Sequence, residues 1–227
     1  MTTAILIPAR LNSSRFPRKM LAELNGYPLI KHVYDRCWNA GYDTYVLTDS
    51  QEIADILPSK RVIMTSPDHE NGTSRCMEVI DEVLQYDRYI NVQGDMPDIT
   101  PEILLKVELE LQKSDVSTAY TPMDFNLRSD PNCVKMIHNR GRAHWFLRAS
   151  LPYGDHHLGI YGYNREVKAM YNASTKYTEE TLEQLEQLRW IQNSIRIGVV
   201  EVEFDGIEIN SPQDLKDWHI KNEIRNN

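Results

Sequence analysis

Short aliphatic runs alternate with helical patterns along the first part of the chain, and this alternation restricts the fold more than any other feature. Ile5-Leu6-Ile7 reads as a buried strand that stops at Pro8. Residues 21–27 read as a short extended piece with a turn at Asn25-Gly26, after which Pro28 can occupy the first turn of a helix. Leu29, Ile30, Val33 and Cys37 share one face of that helix until Gly41 ends it. Residues 44–48 read as a second strand, 52–57 as a short helix and 61–64 as a third strand. This order, with right-handed crossovers, predicts an α/β fold with a mostly parallel sheet covered by helices on both faces.

A polar loop at 65–75 feeds a helix whose apolar face includes Met77, Ile80, Val83 and Leu84. Arg75 falls in its first turn, where a cation opposes the helix dipole, so it reads as reaching out to a partner or ligand. A fourth strand, 89–93, ends in Gly94-Asp95-Met96-Pro97. A helix at 101–111 and a strand at 116–120 follow. The pattern then changes: 133–138 and 143–147 flank Asn139-Arg140-Gly141 as a hairpin inserted in the parallel order. A short strand is expected at 158–161. Leu182, Leu185, Leu188 and Ile191 form a helical core stripe with Glu183, Glu186 and Gln187 largely off it. A late strand at 195–202 and a helix capped by Asn210-Ser211-Pro212 and running through Trp218 complete one domain over 1–227.

Four cations, Arg10, Arg15, Arg18 and Lys19, lie in the loop after the first strand, and no acidic residue precedes Glu23. The chain as a whole carries a net charge of -8, which excludes sequence-independent nucleic-acid binding and makes this loop a local exception. A phosphate site and a solvated basic loop both fit four cations. Neither a G-x-G-x-x-G pattern nor a P-loop is present, which excludes a Rossmann dehydrogenase and leaves side chains rather than a glycine nest to hold phosphates. Lys19 suits a point contact and Arg15 a forked one. Asp95, at a neighbouring strand end, offers a carboxylate to a divalent metal, and together these groups suit phosphoryl or nucleotidyl transfer. Three scattered cysteines indicate neither a disulfide framework nor a thiolate zinc site, and the first apolar run is neither signal peptide nor membrane span, so a cytoplasmic protein is expected.

Pro8-Ala9-Arg10, 13–17, Lys19, Met64-Thr65, His69, 72–75, 91–95, Pro97, Val134-Lys135, 157–161 and 185–189 together resemble the ordered signature of the 3-deoxy-manno-octulosonate (Kdo) cytidylyltransferases, over nearly the full length. The resemblance implies a Rossmann-like three-layer nucleotidyltransferase fold, with an excursion around 131–163 for sugar binding and dimerisation. It implies a Mg2+-dependent enzyme in which the anomeric hydroxyl of a 3-deoxy ulosonic acid attacks the α-phosphorus of CTP. Pro8, Ala9, Arg10, Ser13, Arg15 and Lys19 would border the triphosphate, Arg75 and Gln93 would fix the nucleotide, and Asp95 would bind the metal. Arg148, His157, Tyr161, Glu186 and Gln187 would line the acidic-sugar site. A cytoplasmic homodimer, with neither nucleic acid nor membrane as partner, is the corresponding expectation.

Several positions depart from the family pattern. Arg18 stands where glycine is usual, Met96 where glutamate follows the aspartate, Ser74 replaces an acidic residue and Leu147 a serine. Asn210 occupies the place of a second metal carboxylate, which predicts weaker metal binding. The connection from Pro152 to His157 is short, so another nonulosonic or amino-substituted acid is an alternative substrate, and a non-catalytic nucleotide-binding homologue is an alternative role.

Overall fold

The computed structural model describes residues 1–12 and 15–226. The first part of the chain follows the expected order: β1 (Thr3–Ala9), the ribbon β2 (Glu23–Leu24) and β3 (Tyr27–Pro28), α1 (Leu29–Asn39), β4 (Asp43–Thr48), α2 (Gln51–Ala54), β5 (Val62–Met64), α3 (Gly72–Val79) and β6 (Arg88–Asn91). Then come α4 (Pro101–Glu110), β7 (Val116–Thr121), β8 (Lys135–Asn139), β9 (Arg142–Leu147) and β10 (Asp155–Asn164). The chain continues through α5 (Val167–Ala173), α6 (Thr178–Glu183), α7 (Gln187–Gln192), β11 (Ile197–Glu201) and α8 (Pro212–Asn226). Among the described residues, no helix is long and apolar enough to cross a membrane.

The chain divides into two compact units. One consists of Thr3–Val79, Asn91–Pro101 and the segment from Asp205 onward. Its strands β5-β4-β1 are neighbours in parallel, and β2 and β3 form a separate antiparallel ribbon. Leu29, Ile30, Val33 and Cys37 of α1 and Ile5, Leu6 and Ile7 of β1 are all fully buried, each large aliphatic contributing about 1.5–3 kcal/mol. The ribbon turn uses positive φ at Asn25 (48°) and Gly26 (85°), as the sequence predicts. At the start of α8, the Ser211 and Asp214 backbone N–H groups donate to each other's side chains, a reciprocal cap that fixes where the helix begins. Trp218 on this helix is buried and donates its indole N–H to Asp98 at 3.2 Å.

The other unit consists of Met1–Thr2, Ile80–Ile90 and Glu102–Phe204, and so contains the excursion expected at 131–163. Its strand order is β6-β10-β7-β11-β9-β8. The predicted hairpin is present as β8 and β9, turning through Arg140 and Gly141 with positive φ. Antiparallel pairing extends beyond it to β10, which lies against both β7 and β8, while β11 and β7 are parallel. β10 outruns the expected 158–161 because a register shift between Leu158 and Tyr161 lets it continue along β7.

Two helix expectations are corrected. α3 ends at Val79, Asp81 turns the chain at φ 65°, and Val83 is 57% exposed rather than on the helix's buried face. The stripe from 182 to 191 is not one helix. Gln184 is left-handed (φ 54°) and separates α6 from α7, leaving Leu182 77% exposed while Leu185 and Leu188 are buried. A bidentate Glu180–Arg189 pair spans the break (2.8 and 2.6 Å), replacing helix continuity with a buried ionic clamp.

Candidate functional site

β1 delivers buried Pro8 and Ala9 and then exposed Arg10 to the basic loop. Ser13 lies outside the described residues. The other three cations of the loop have different surroundings. Arg15 is exposed and donates through Nη2 to Asn210 Oδ1 at 3.3 Å. Arg18 is left-handed (φ 59°) and holds both Glu52 carboxylate oxygens, at 3.2 and 2.6 Å, on the surface. Lys19, next in the chain, turns inward and places Nζ 2.6 Å from Asp95 Oδ2, with little of either side chain exposed.

Asp95 reaches this position because the chain leaving β6 is pinned. The Val92 N–H donates to the Leu6 carbonyl, and Gly94 lies so close to α1 and the loop that a Cβ there would stand 2.8 Å from Met20 Sδ and 3.2 Å from Ile30 Cδ1. Gly72, opening α3, is equally confined, with a Cβ falling 2.9 Å from Pro8 Cγ and 3.4 Å from Gln93 Oε1. Pro8 and Gln93 thus both crowd the start of α3. Gln93 is half-buried and donates its amide to Asn91.

The neighbouring departures have physical explanations. Ser74 accepts from the Asn71 N–H while its own N–H donates to Asn71 Oδ1 at 2.8 Å, so the two side chains cap the start of α3 reciprocally. Met96 is fully buried and belongs to the core. Arg75 is 3% exposed and finds protein partners, bonded to Thr65 Oγ1 and 3.5 Å from Asp49.

The segment after β11 returns to Asp95. Ile209 is buried and its N–H donates to the Asp95 carbonyl at 2.9 Å. On either side of it stand Glu208 and Asn210. Burial, and secondarily the Asp95 charge, push the Glu208 carboxyl up to about 7, while Lys19 and Asn210 oppose the rise. Its Oε1 is shut away from solvent with no hydrogen-bond partner. Among the described residues, no group of three or more His, Cys, Asp or Glu side chains is arranged to hold a metal. The hard oxygens of Asp95, Glu208 and Asn210 nevertheless fit Mg2+, which commonly uses one or two carboxylates with substrate phosphates and water.

The expected sugar-site residues all lie in the other unit. Arg148 is anchored: its Nε donates to the Glu183 carbonyl and its Nη1 to the Pro131 carbonyl, each at 3.0 Å. His157 is buried with Nε2 2.9 Å from Thr118 Oγ1, its ring edge-on to Phe146 and 5.5 Å from that of Tyr161. Burial, helped by the charges of His156 and Arg148, lowers its pKa to about 3, so the ring is neutral. Tyr161 is 3% exposed, and Glu186, half-buried, immediately precedes α7. Gln187 is buried with Oε1 unpartnered. Lys135, fully buried, donates to the Asp130 and Arg148 carbonyls and so fixes the backbone from which Arg148 projects.

Sequence reasoning missed Glu208 and Glu183 as members of these clusters. Glu208 had a readable signal, since in an extended run it shares a side with Asn210. Glu183 had none, because its contact with Arg148 joins residues 35 apart.

Comparison with known proteins gives consistent matches. A family model described as cytidylyltransferase matches residues 4–208. The 3-deoxy-manno-octulosonate cytidylyltransferase of Bartonella henselae is 38% identical, covering 93% of this chain and 95% of its own length. The enzyme of the same name from Nitratiruptor sp. is 37% identical, with 93% and 96% covered. A solved CMP:2-keto-3-deoxy-manno-octonic acid synthetase complexed with CTP superposes with a TM-score of 0.91 at 32% identity, over 99% of this chain and 100% of that one. The inositol-1-phosphate CTP transferase from T. maritima, 14% identical, shares the fold with a TM-score of 0.70 over 99% and 96% of the two chains.

Proposed function

The chain belongs to the cytidylyltransferase family, with its 3-deoxy-manno-octulosonate members as full-length relatives, and on that premise we propose that it is a CMP-Kdo synthetase. The anomeric hydroxyl of Kdo attacks the α-phosphorus of CTP; the new O–P bond forms as the bond to the β-phosphate bridge breaks, releasing CMP-Kdo, pyrophosphate and a proton. The observation that carries the site assignment is the 2.6 Å approach of Lys19 to Asp95, which brings the basic loop onto the one carboxylate in the Gln93-Gly94-Asp95 turn.

Arg10 and Arg15 bind the triphosphate from the exposed side of the loop, and Lys19 reaches it from within. Each well-formed charge-assisted bond contributes about 1.5–3 kcal/mol. Arg15 is held in position by Asn210 before ligand arrives, which lowers the cost of ordering it. Asp95 and Asn210 would hold Mg2+, which when bound neutralises charge on the phosphates. Arg75 and Gln93 act through position, bracing Thr65 and the Gly72 turn against Pro8. In the other unit Arg148, His157, Tyr161, Glu186 and Gln187 take up the sugar acid. His157, neutral and bonded to Thr118, contributes a hydrogen bond rather than a charge. The enzyme acts as a cytoplasmic homodimer.

The deciding experiment is pyrophosphate release from CTP, Mg2+ and Kdo, with a panel of other 3-deoxy ulosonic acids in parallel. Turnover best with Kdo supports the reading. Faster turnover of another acid moves the substrate assignment, and CTP binding without release for every acid refutes it.

A further inference from the structure

We infer that His157 is held as its Nε2–H tautomer and selects the substrate through a bare Nδ1, which accepts a hydrogen bond from a hydroxyl of the sugar acid. The inference rests on the sugar-site reading above and assigns that site's chemistry. β10 is irregular where it passes Thr118. Its pairing with β7 shifts register between Leu158 and Tyr161, so Gly159 and Ile160 have no partner on β7. Thr118, fully buried on β7, meets this stretch with its side chain. Its Oγ1 lies 2.7 Å from the Ile160 carbonyl, 3.4 Å from the Leu158 carbonyl and 2.9 Å from His157 Nε2.

A hydroxyl has one proton to give. Both carbonyls can only accept, and two buried oxygens 2.7 Å apart with no proton between them would repel, so the Thr118 proton goes to Ile160. The hydroxyl oxygen is then the acceptor for His157, and Nε2 must carry the hydrogen. The ring is neutral and has only that one N–H. Nδ1 is therefore an acceptor, and it makes no hydrogen bond among the described residues.

The ring's place is fixed together with that of Arg148. The His157 backbone N–H donates to the Val134 carbonyl at 2.9 Å, and the next residue, Lys135, donates to the Arg148 carbonyl at 3.2 Å. Phe146, edge-on at 4.8 Å, and Tyr161 set the tilt of the imidazole. Arg148 offers only donors and His157 only an acceptor, a set that suits an acid bearing a hydroxyl. With a pKa of about 3, Nδ1 is too weak a base to keep a hydroxyl's proton, so it orients the sugar rather than activating it.

The test reads the tautomer and the contact separately. Long-range proton–nitrogen NMR correlation on the full chain, labelled in its histidines, tells a protonated ring nitrogen from a bare one by chemical shift, and the signals lost in His157→Gln assign the ring. At pH 7 the wild type is expected to carry hydrogen on Nε2 and none on Nδ1. Thr118→Val, which removes the acceptor, should return the ring to a mixture of tautomers. Kdo, titrated with CMP in place of CTP so that no turnover occurs, should move the Nδ1 resonance towards the protonated range, whereas CMP alone should not. In the pyrophosphate assay His157→Phe should raise the KM for Kdo by about 3- to 10-fold, the worth of one neutral hydrogen bond, and not the KM for CTP. A merely structural loss would raise both, and thermal unfolding shows whether the variant is folded. Hydrogen on Nδ1 in the wild type would overturn the inference. So would turnover of Kdo with an Nδ1 resonance that Kdo leaves unmoved, or an unchanged KM for Kdo in folded His157→Phe; each leaves CMP-Kdo synthesis standing. Kdo that is neither turned over nor able to shift the ring would overturn both.

Discussion

His157 makes the acid stability of this protein unusually dependent on one ring. The imidazole is buried, bonded to Thr118 and packed against Phe146, and its pKa falls from 6.5 to about 3. In the unfolded chain it titrates near 6.5. Below that pH the unfolded state takes up a proton that the folded state refuses. The group's contribution is therefore fully present above 6.5 and is lost progressively as pH falls towards 3. At about 1.4 kcal/mol per pH unit, the loss is about 3 kcal/mol by pH 4 and about 5 kcal/mol over the full window. That is a large share of the stability of an ordinary domain, about 5–15 kcal/mol. Urea unfolding at pH 7, 6, 5 and 4 on wild type and His157→Gln measures it. Glutamine retains a hydrogen-bonding group near Thr118 but does not titrate, and His156, whose pKa is also lowered by burial, remains in both proteins. The variant starts less stable at pH 7, and its deficit should shrink by about 3 kcal/mol by pH 4. Parallel losses in the two proteins from pH 6.5 to 4 would refute the assignment.

Other substitutions test separate parts of the structure. Arg18→Gly should raise the thermal midpoint, because it relieves a left-handed arginine at the cost only of an exposed pair with Glu52, and should leave KM for CTP unchanged; a raised KM would make Arg18 a phosphate contact. Gly72→Ala drives a methyl towards the Pro8 ring, which cannot rotate away, and should cost about 1–3 kcal/mol in urea unfolding. Asp95→Asn should lower kcat for pyrophosphate release by about 100-fold or more while the protein stays folded, since it removes the charge that Lys19 faces. Glu180→Gln leaves Arg189 buried without its anion and should cost about 3–5 kcal/mol; a loss near zero would show that the clamp does not hold α6 to α7.

The parallel strands and α1 were legible because each depends on local periodicity: Ile5-Leu6-Ile7 and the Leu29, Ile30, Val33, Cys37 face are buried where the pattern puts them. The stripe from Leu182 to Ile191 has the same local appearance but is broken by Gln184, and the pair that spans the break, Glu180 with Arg189, leaves no mark in hydrophobic spacing. Lys19 and Asp95 were readable as a pair because both lie in the loops that follow strands of an α/β pattern. Arg75 was legible as a cation that seeks a partner, but not which, because Thr65 and Asp49 lie outside its own helix. Arg18 became intelligible only with its backbone: φ 59° lies in the left-handed region that favours glycine.

The unit holding Lys19 and Asp95 is assembled from three stretches of sequence, and the last begins at Asp205. Synthesis on the ribosome runs in one direction, so the amino-terminal stretch must wait through the making of residues 102–204 before its closing pieces emerge. Until then Asp98 lacks the Trp218 indole and the Ile207 N–H, Asp95 lacks the Ile209 N–H, and Arg15 lacks Asn210. The unit built largely from 102–204 has no such wait. A nascent chain thus has nearly all of the unit that holds Arg148 and His157 before Lys19 and Asp95 are locked in place, so the part synthesised first is the last to be completed.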